Sequence, residues 1–190
     1  MKTRNKYLVL VALFLLAFTE RVFFDLGPNV ELITMSMILA SYYFGKKETF
    51  WLTFAAIALT DRFIGNSPIF LFTWSGFLLP ALLISPILNK LRKTKYTKLR
   101  NYTIAFVLAL TSNLFFYFWT NFGVWYLDSF NMYPNTFSGL ATSYVNALPF
   151  LRLHLMSTLI FVPTGFVLYE SVRFLLTKRL LFLTSAKKNL

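Results

Sequence analysis

Asn113, Tyr117, Asn121 and Trp125 recur at intervals of four, with Thr120 beside them. On a helix each step of four drifts by only about 40°, so these side chains share one stripe. Two kinds of chemistry suit it. As a ligand wall, the amides fix orientation and the rings stack on a flat molecule; as structure, the amides hydrogen bond between helices. A second group runs from Glu20–Arg21 through Asp25 and Gly27–Pro28–Asn29 to Glu31. Gly-Pro-Asn makes a turn, which puts Asn29 and Glu31 at a helix start, able to grip a small ligand or to cap the helix. Glu20 and Arg21 read as a pair that partly neutralises itself. Asp61–Arg62 precedes the turn Gly65–Asn66–Ser67–Pro68, and Asp61 suits either a buried counter-charge or a ligand contact. Arg152 and His154 follow Pro149–Phe150. A lone His without a second at ligand spacing points to hydrogen bonding rather than to a metal.

Catalytic templates are missing. The chain has no Gly-x-Ser-x-Gly elbow, no two-His metalloprotease helix and no phosphate-binding loop,. With no Cys it has no thiolate chemistry and no disulfide framework,. A binding function is therefore expected rather than an enzyme, with no cofactor and no metal.

The composition says what holds these residues. Of 190 residues, 57% are hydrophobic, 19% aromatic and 14% charged. A soluble domain carries about a quarter charged residues, and disordered chains are polar. A single all-α integral membrane domain is expected, with a stretch of about 20 apolar residues for each crossing. Six segments answer to that description: 7–24, 30–44, 49–64, 69–88, 102–126 and 151–176, followed by a basic tail over 177–190. The second and third, joined by Gly45–Lys46–Lys47–Glu48, read as a helical hairpin. The interval 127–150 is the long external connection. It holds Tyr133–Pro134–Asn135, and its stretch 140–148 is long enough for a two-turn helix at the surface.

Charge orients the bundle. With the amino terminus inside, 16 of the 19 cationic residues fall on the cytoplasmic side with Glu48 and Glu170, a sum of +14. Arg21, Arg62 and Arg152 face outward with Glu20, Asp25, Glu31, Asp61 and Asp128, a sum of −2. This asymmetry predicts both termini in the cytoplasm of a cell with the chain in its inner (plasma) membrane. The formal +12 then reports topology and contact with anionic lipids, not nucleic-acid binding,.

Pro28–Asn29, Thr60–Asp61 and Thr120–Asn121–Phe122–Gly123–Val124–Trp125 carry a resemblance that covers about residues 7–176. With Tyr133–Pro134, Gly139–Leu140, Tyr144 and Leu148–Pro149–Phe150, they resemble a largely uncharacterised integral-membrane branch related to the substrate-binding S components of energy-coupling factor vitamin transporters. The resemblance implies a six-helix S-component-like bundle that captures a vitamin or similar micronutrient from outside. It also implies docking on a coupling subunit driven by two ATPases. The family docks through small residues four apart on its first helix; here Ala12 and Ala17 are five apart, and Leu16 stands where the second is expected.

The candidate ligand residues are thus Asn29, Glu31, Asp61, Asn113, Tyr117, Asn121, Trp125, Tyr133 and Arg152. The competing reading is a non-transporting scaffold subunit of an envelope complex. A self-contained channel fits less well, because Ile104–Leu110 is wholly apolar and closes the fifth span toward the cytoplasm.

Overall fold

The computed structural model describes residues 3–188 apart from 25, 66–67 and 129–130, with side chains over 5–178. Asp25, the pair Asn66–Ser67 and the cations of the tail beyond Lys178 lie outside these. Every element among the described residues is helical: α1 (Thr3–Thr19), continued by a π-helical turn (Glu20–Phe24), α2 (Ile33–Tyr43), α3 (Lys46–Ile64), α4 (Phe70–Arg92), α5 (Lys98–Leu127) and α6 (Phe137–Lys188).

Four stretches are long and apolar enough to cross a membrane, Asn5–Phe24, Phe70–Arg92, Lys98–Leu127 and Phe137–Lys178. The sequence predicts six. The difference lies in the hairpin of α2 and α3. α2 has 11 residues, a rise of about 17 Å, and a hydrocarbon core is about 30 Å thick. All 11 are buried, because α2 is apolar or small on every side and the other five helices pack around it,. The helix starts at Ile33 rather than 30 because Gly27 and Asn29 take positive φ angles of 121° and 57° and keep the chain irregular. Gly45, at φ 102°, then turns α2 into α3; a residue with a Cβ would be strained there. α3 keeps charged residues at both ends, Lys46, Lys47 and Glu48 at one and Asp61 and Arg62 at the other.

The predicted surface helix over 140–148 and the last span form one helix. α6 has 52 residues, about 78 Å against roughly 40–45 Å for a whole bilayer. It passes through Pro149 and Pro163, each of which removes a backbone hydrogen bond. Pairing with α5 holds both sides of Pro149. Before it, the Tyr117 hydroxyl donates to Tyr144 O at 2.6 Å and the Tyr144 hydroxyl to Phe118 O at 3.3 Å; after it, Asn113 Nδ2 donates to His154 O at 3.1 Å.

Gly139 is where the connection from α5 closes onto α6. A Cβ there would lie 1.9 Å from Pro134 O, a backbone atom that cannot rotate aside. Gly139→Ala is therefore expected to cost about 1–3 kcal/mol, read as a lowered midpoint in denaturant titration of the micellar protein.

One end of the bundle is basic and laced with aromatic rings. Lys6 bonds Glu48 across α1 and α3. Burial pushes the Glu48 carboxyl up, but the hydrogen bond and charge of Lys6 outweigh it and hold the group below its ordinary value. Tyr43 donates to Glu170 at 2.9 Å, and Lys98 reaches the same carboxylate at 2.7 Å. Outward-facing Leu8, Val11, Trp51, Leu83, Val107 and Ile160 leave the flanks of the bundle apolar, as lipid contact requires.

Candidate functional site

Side chains from the π-helical turn, the segment after it and helices α2 to α6 meet in one buried polar network. Arg21, in the π-helical turn after α1, donates through Nη2 to Asp61 of α3 at 3.0 Å and reaches Glu31 with Nη1 at 3.5 Å. Trp74 of α4 donates its indole N–H to the other oxygen of Asp61 at 2.7 Å. Glu31 Oε1 lies 3.0 Å from His154 Nε2 of α6. The Ser157 hydroxyl of α6 donates to Glu31 O at 3.0 Å. Glu20 accepts from Leu32 N at 3.1 Å and so caps the start of α2 from outside it. Asn113 of α5 completes the assembly. Its Nδ2 donates to His154 O and, at 2.6 Å, to Thr158 Oγ1, while its carbonyl accepts from Thr34 of α2 at 3.3 Å.

Local structure explains why these groups converge. The irregular segment between the π-helical turn and α2 frees backbone N–H groups that need acceptors, and Glu20 supplies one. His154, Ser157 and Thr158 stand at i, i+3 and i+4, one face of α6, and all are buried,. Glu31 and Thr34 repeat the i, i+3 spacing across the start of α2.

The depth of the network decides its cost. Lys6 and Glu20 are fourteen residues apart along α1 and its continuation, a rise of about 21 Å; Glu48 and Asp61 are thirteen apart on α3, about 20 Å. Both are less than the roughly 30 Å of a hydrocarbon core. Phe23, Phe24, Phe63 and Ile64, beyond Arg21 and Asp61, are all exposed. Exposed apolar side chains therefore continue past the charges along the flanks of the bundle. Glu20, Glu31 and Asp61 are 4–7% exposed, and the described network holds one guanidinium and one imidazole against these three carboxylates. Arg21 Nε and Glu31 Oε1 have no hydrogen-bond partner among the described residues, although His154 Nε2 approaches Glu31 Oε1 to 3.0 Å.

The crevice beside the network, lined by Thr34, Phe77, Asn113, Phe116 and His154, has no room for a water molecule. No group of three or more His, Asp or Glu among the described residues is arranged to hold a metal.

Of the residues singled out in the sequence, Glu31, Asp61 and Asn113 meet here. The others lie elsewhere. Asn29 is exposed in its turn. Asn121 donates to Tyr117 O of its own helix at 2.8 Å, and Trp125 Nε1 donates to Pro134 O at 3.1 Å. Tyr133 accepts from Asn146 at 3.4 Å. Tyr117 is spent on Tyr144 O. Tyr117 ties α5 to α6, Trp125 ties α5 to the connection and Tyr133 ties the connection to α6, while Asn121 bonds within α5; only Asn113 of the stripe reaches the charges. Arg152 is exposed on α6. The residues that join the network, Arg21, Thr34, Trp74, His154 and Ser157, are the ones that the sequence pattern leaves unmarked or reads as local. Their signal is the i, i+3, i+4 recurrence of polar groups within otherwise apolar helices.

No curated protein and no solved structure matches the chain. A family of unknown function, DUF6580, matches over residues 1–180, nearly the whole length, and the chain belongs to that family.

Proposed function

We propose that the chain is a membrane substrate-binding subunit for uptake of a small micronutrient such as a vitamin, binding rather than transforming it. The observation that carries the reading is the burial of Glu31 and Asp61, joined by Arg21, within a bundle of apolar helices. Ionisable groups at such depth are costly and mark ligand or ion pathways. The interrupted backbone after α1 supports it, since transporters tolerate irregular backbone where it serves a site. Glu31 and Asp61 would take a cationic nitrogen of the ligand, displacing Arg21, with Asn113 and His154 orienting the rest. Because the crevice beside the network has no room even for a water molecule, ligand entry would take a movement of the 26–32 segment.

The reading keeps the orientation inferred from charge: both termini in the cytoplasm, ligand taken from outside a plasma membrane. The resemblance to S components adds a coupling subunit with two ATPases as the partner that would power release.

The second reading is a scaffold. One observation favours it: residues 171–178 of α6, about two turns of helix, are exposed throughout and offer a surface to a protein partner.

Untargeted mass spectrometry of small molecules released from gently purified protein separates the two. A nitrogenous compound near one-to-one with wild type and depleted in Glu31→Gln is the expected result. A folded wild-type protein that releases nothing, from a host that contains the common vitamins, while retaining a large protein partner would establish the scaffold.

A further inference from the structure

A second recess lies far from the charged network, on the outer flank of the bundle between α5 and α6. Its volume is about 540 Å³. Tyr102 and Phe166 make its floor. Their rings stack at 4.5 Å and turn inward onto Tyr42, so the two helices leave a trough on the outside. Its polarity changes along its length. Glu170 and Ser171 lie at one end, with Leu99; Phe106, Val162 and Pro163 lie at the other. From Leu99 to Phe106 along α5 the trough is about 10 Å long.

The polar end carries surplus positive charge. Lys98 and Arg173 both contact Glu170, at 2.7 and 3.6 Å, and yet their side chains are 70% and 60% exposed. One carboxylate thus holds two cations side by side with their donors facing solvent. The apolar end points toward the middle of the bundle. A groove that is cationic at the membrane surface and apolar toward the midplane matches the polarity of one leaflet lipid.

We propose that this groove binds an anionic phospholipid, one acyl chain lying on Tyr102 and Phe166 and the phosphate between Lys98 and Arg173. The site needs only that the chain lie in a membrane, and it is independent of the substrate reading.

The test uses full-length protein reconstituted in vesicles of equal phosphatidylglycerol and phosphatidylcholine, then extracted and weighed by native mass spectrometry. One phosphatidylglycerol per chain should be retained in preference to phosphatidylcholine. The double variant Lys98→Gln/Arg173→Gln should reduce that retention by about tenfold, since each cation near a membrane surface favours anionic lipid. Val167→Trp, which fills the groove, should abolish retention of either lipid, and Leu168→Trp, exposed outside the groove, should change nothing. Equal retention of the two lipids would overturn the proposal, as would a Val167→Trp protein that still holds phosphatidylglycerol. A lipid-free dimer that Val167→Trp converts to monomer would overturn it too, by assigning the groove to a second copy.

Discussion

Arg21→Met is expected to destabilise the protein by about 3–5 kcal/mol, the usual effect of removing one partner from a buried ion pair. Arg21 is the only guanidinium in the described network, and it faces both Asp61 and Glu31. Its loss leaves two carboxylates inside an apolar bundle with only the Trp74 indole and the His154 imidazole beside them. The surface value for a salt bridge, about 0–1 kcal/mol, does not apply, because Glu31 and Asp61 side chains are only 9% and 7% exposed. The cost comes from stranded charge, so a second change should recover it. Arg21→Met combined with Glu31→Gln and Asp61→Asn should regain most of the lost stability in detergent unfolding. A triple variant no more stable than Arg21→Met would show that Arg21 acts through its packing instead.

Asn113→Leu should cost about 2 kcal/mol. Asn113 makes three hydrogen bonds to two other helices, and an interhelical bond inside a membrane protein contributes about 0.6 kcal/mol on average. Leu restores similar volume, so the loss falls on the bonds and on the Thr158 hydroxyl, while Thr34 keeps its contact with His154 Nε2 at 3.3 Å. Asn121→Leu provides the contrast. Its amide donates only to Tyr117 O on the same helix, and the expected change is within about 0.5 kcal/mol. The two residues are two turns apart on one stripe, and unfolding of both variants under the same conditions checks the difference. Equal losses would mean that position on the stripe, not the interhelical bonding, sets the effect.

That pair also shows what the sequence makes legible. Periodicity places Asn113 and Asn121 on the same face correctly, and it finds the body of α5 from the apolar run between Lys98 and Leu127. It cannot show that α1, α2 and α3 stop near the level of Asn113 while α5 and α6 continue past it, because helix ends in depth depend on packing. α2 reads as a membrane span since it is uniformly apolar. The same composition suits a short helix wrapped by its neighbours, and length alone separates the two. Pro149 reads as a boundary by its chemistry, and only the bonds from α5 on either side of it keep α6 whole. Within the site, Glu31 and Asp61 stand out as acids in apolar surroundings. Arg21, ten residues from one and forty from the other, reads as the partner of adjacent Glu20 until the fold turns it toward both. His154 lies more than a hundred residues beyond Glu31, and no local spacing joins them.

The charged network as the ligand site is the central claim, and a structure of the protein with the released compound added back tests it most directly. The account predicts density for the compound with its cationic nitrogen at hydrogen-bonding distance from Glu31 Oε1 or Asp61, Arg21 displaced, and the segment 26–32 moved from its present course. The compound bound elsewhere, with Arg21 still joined to Asp61 and Glu31, would contradict it.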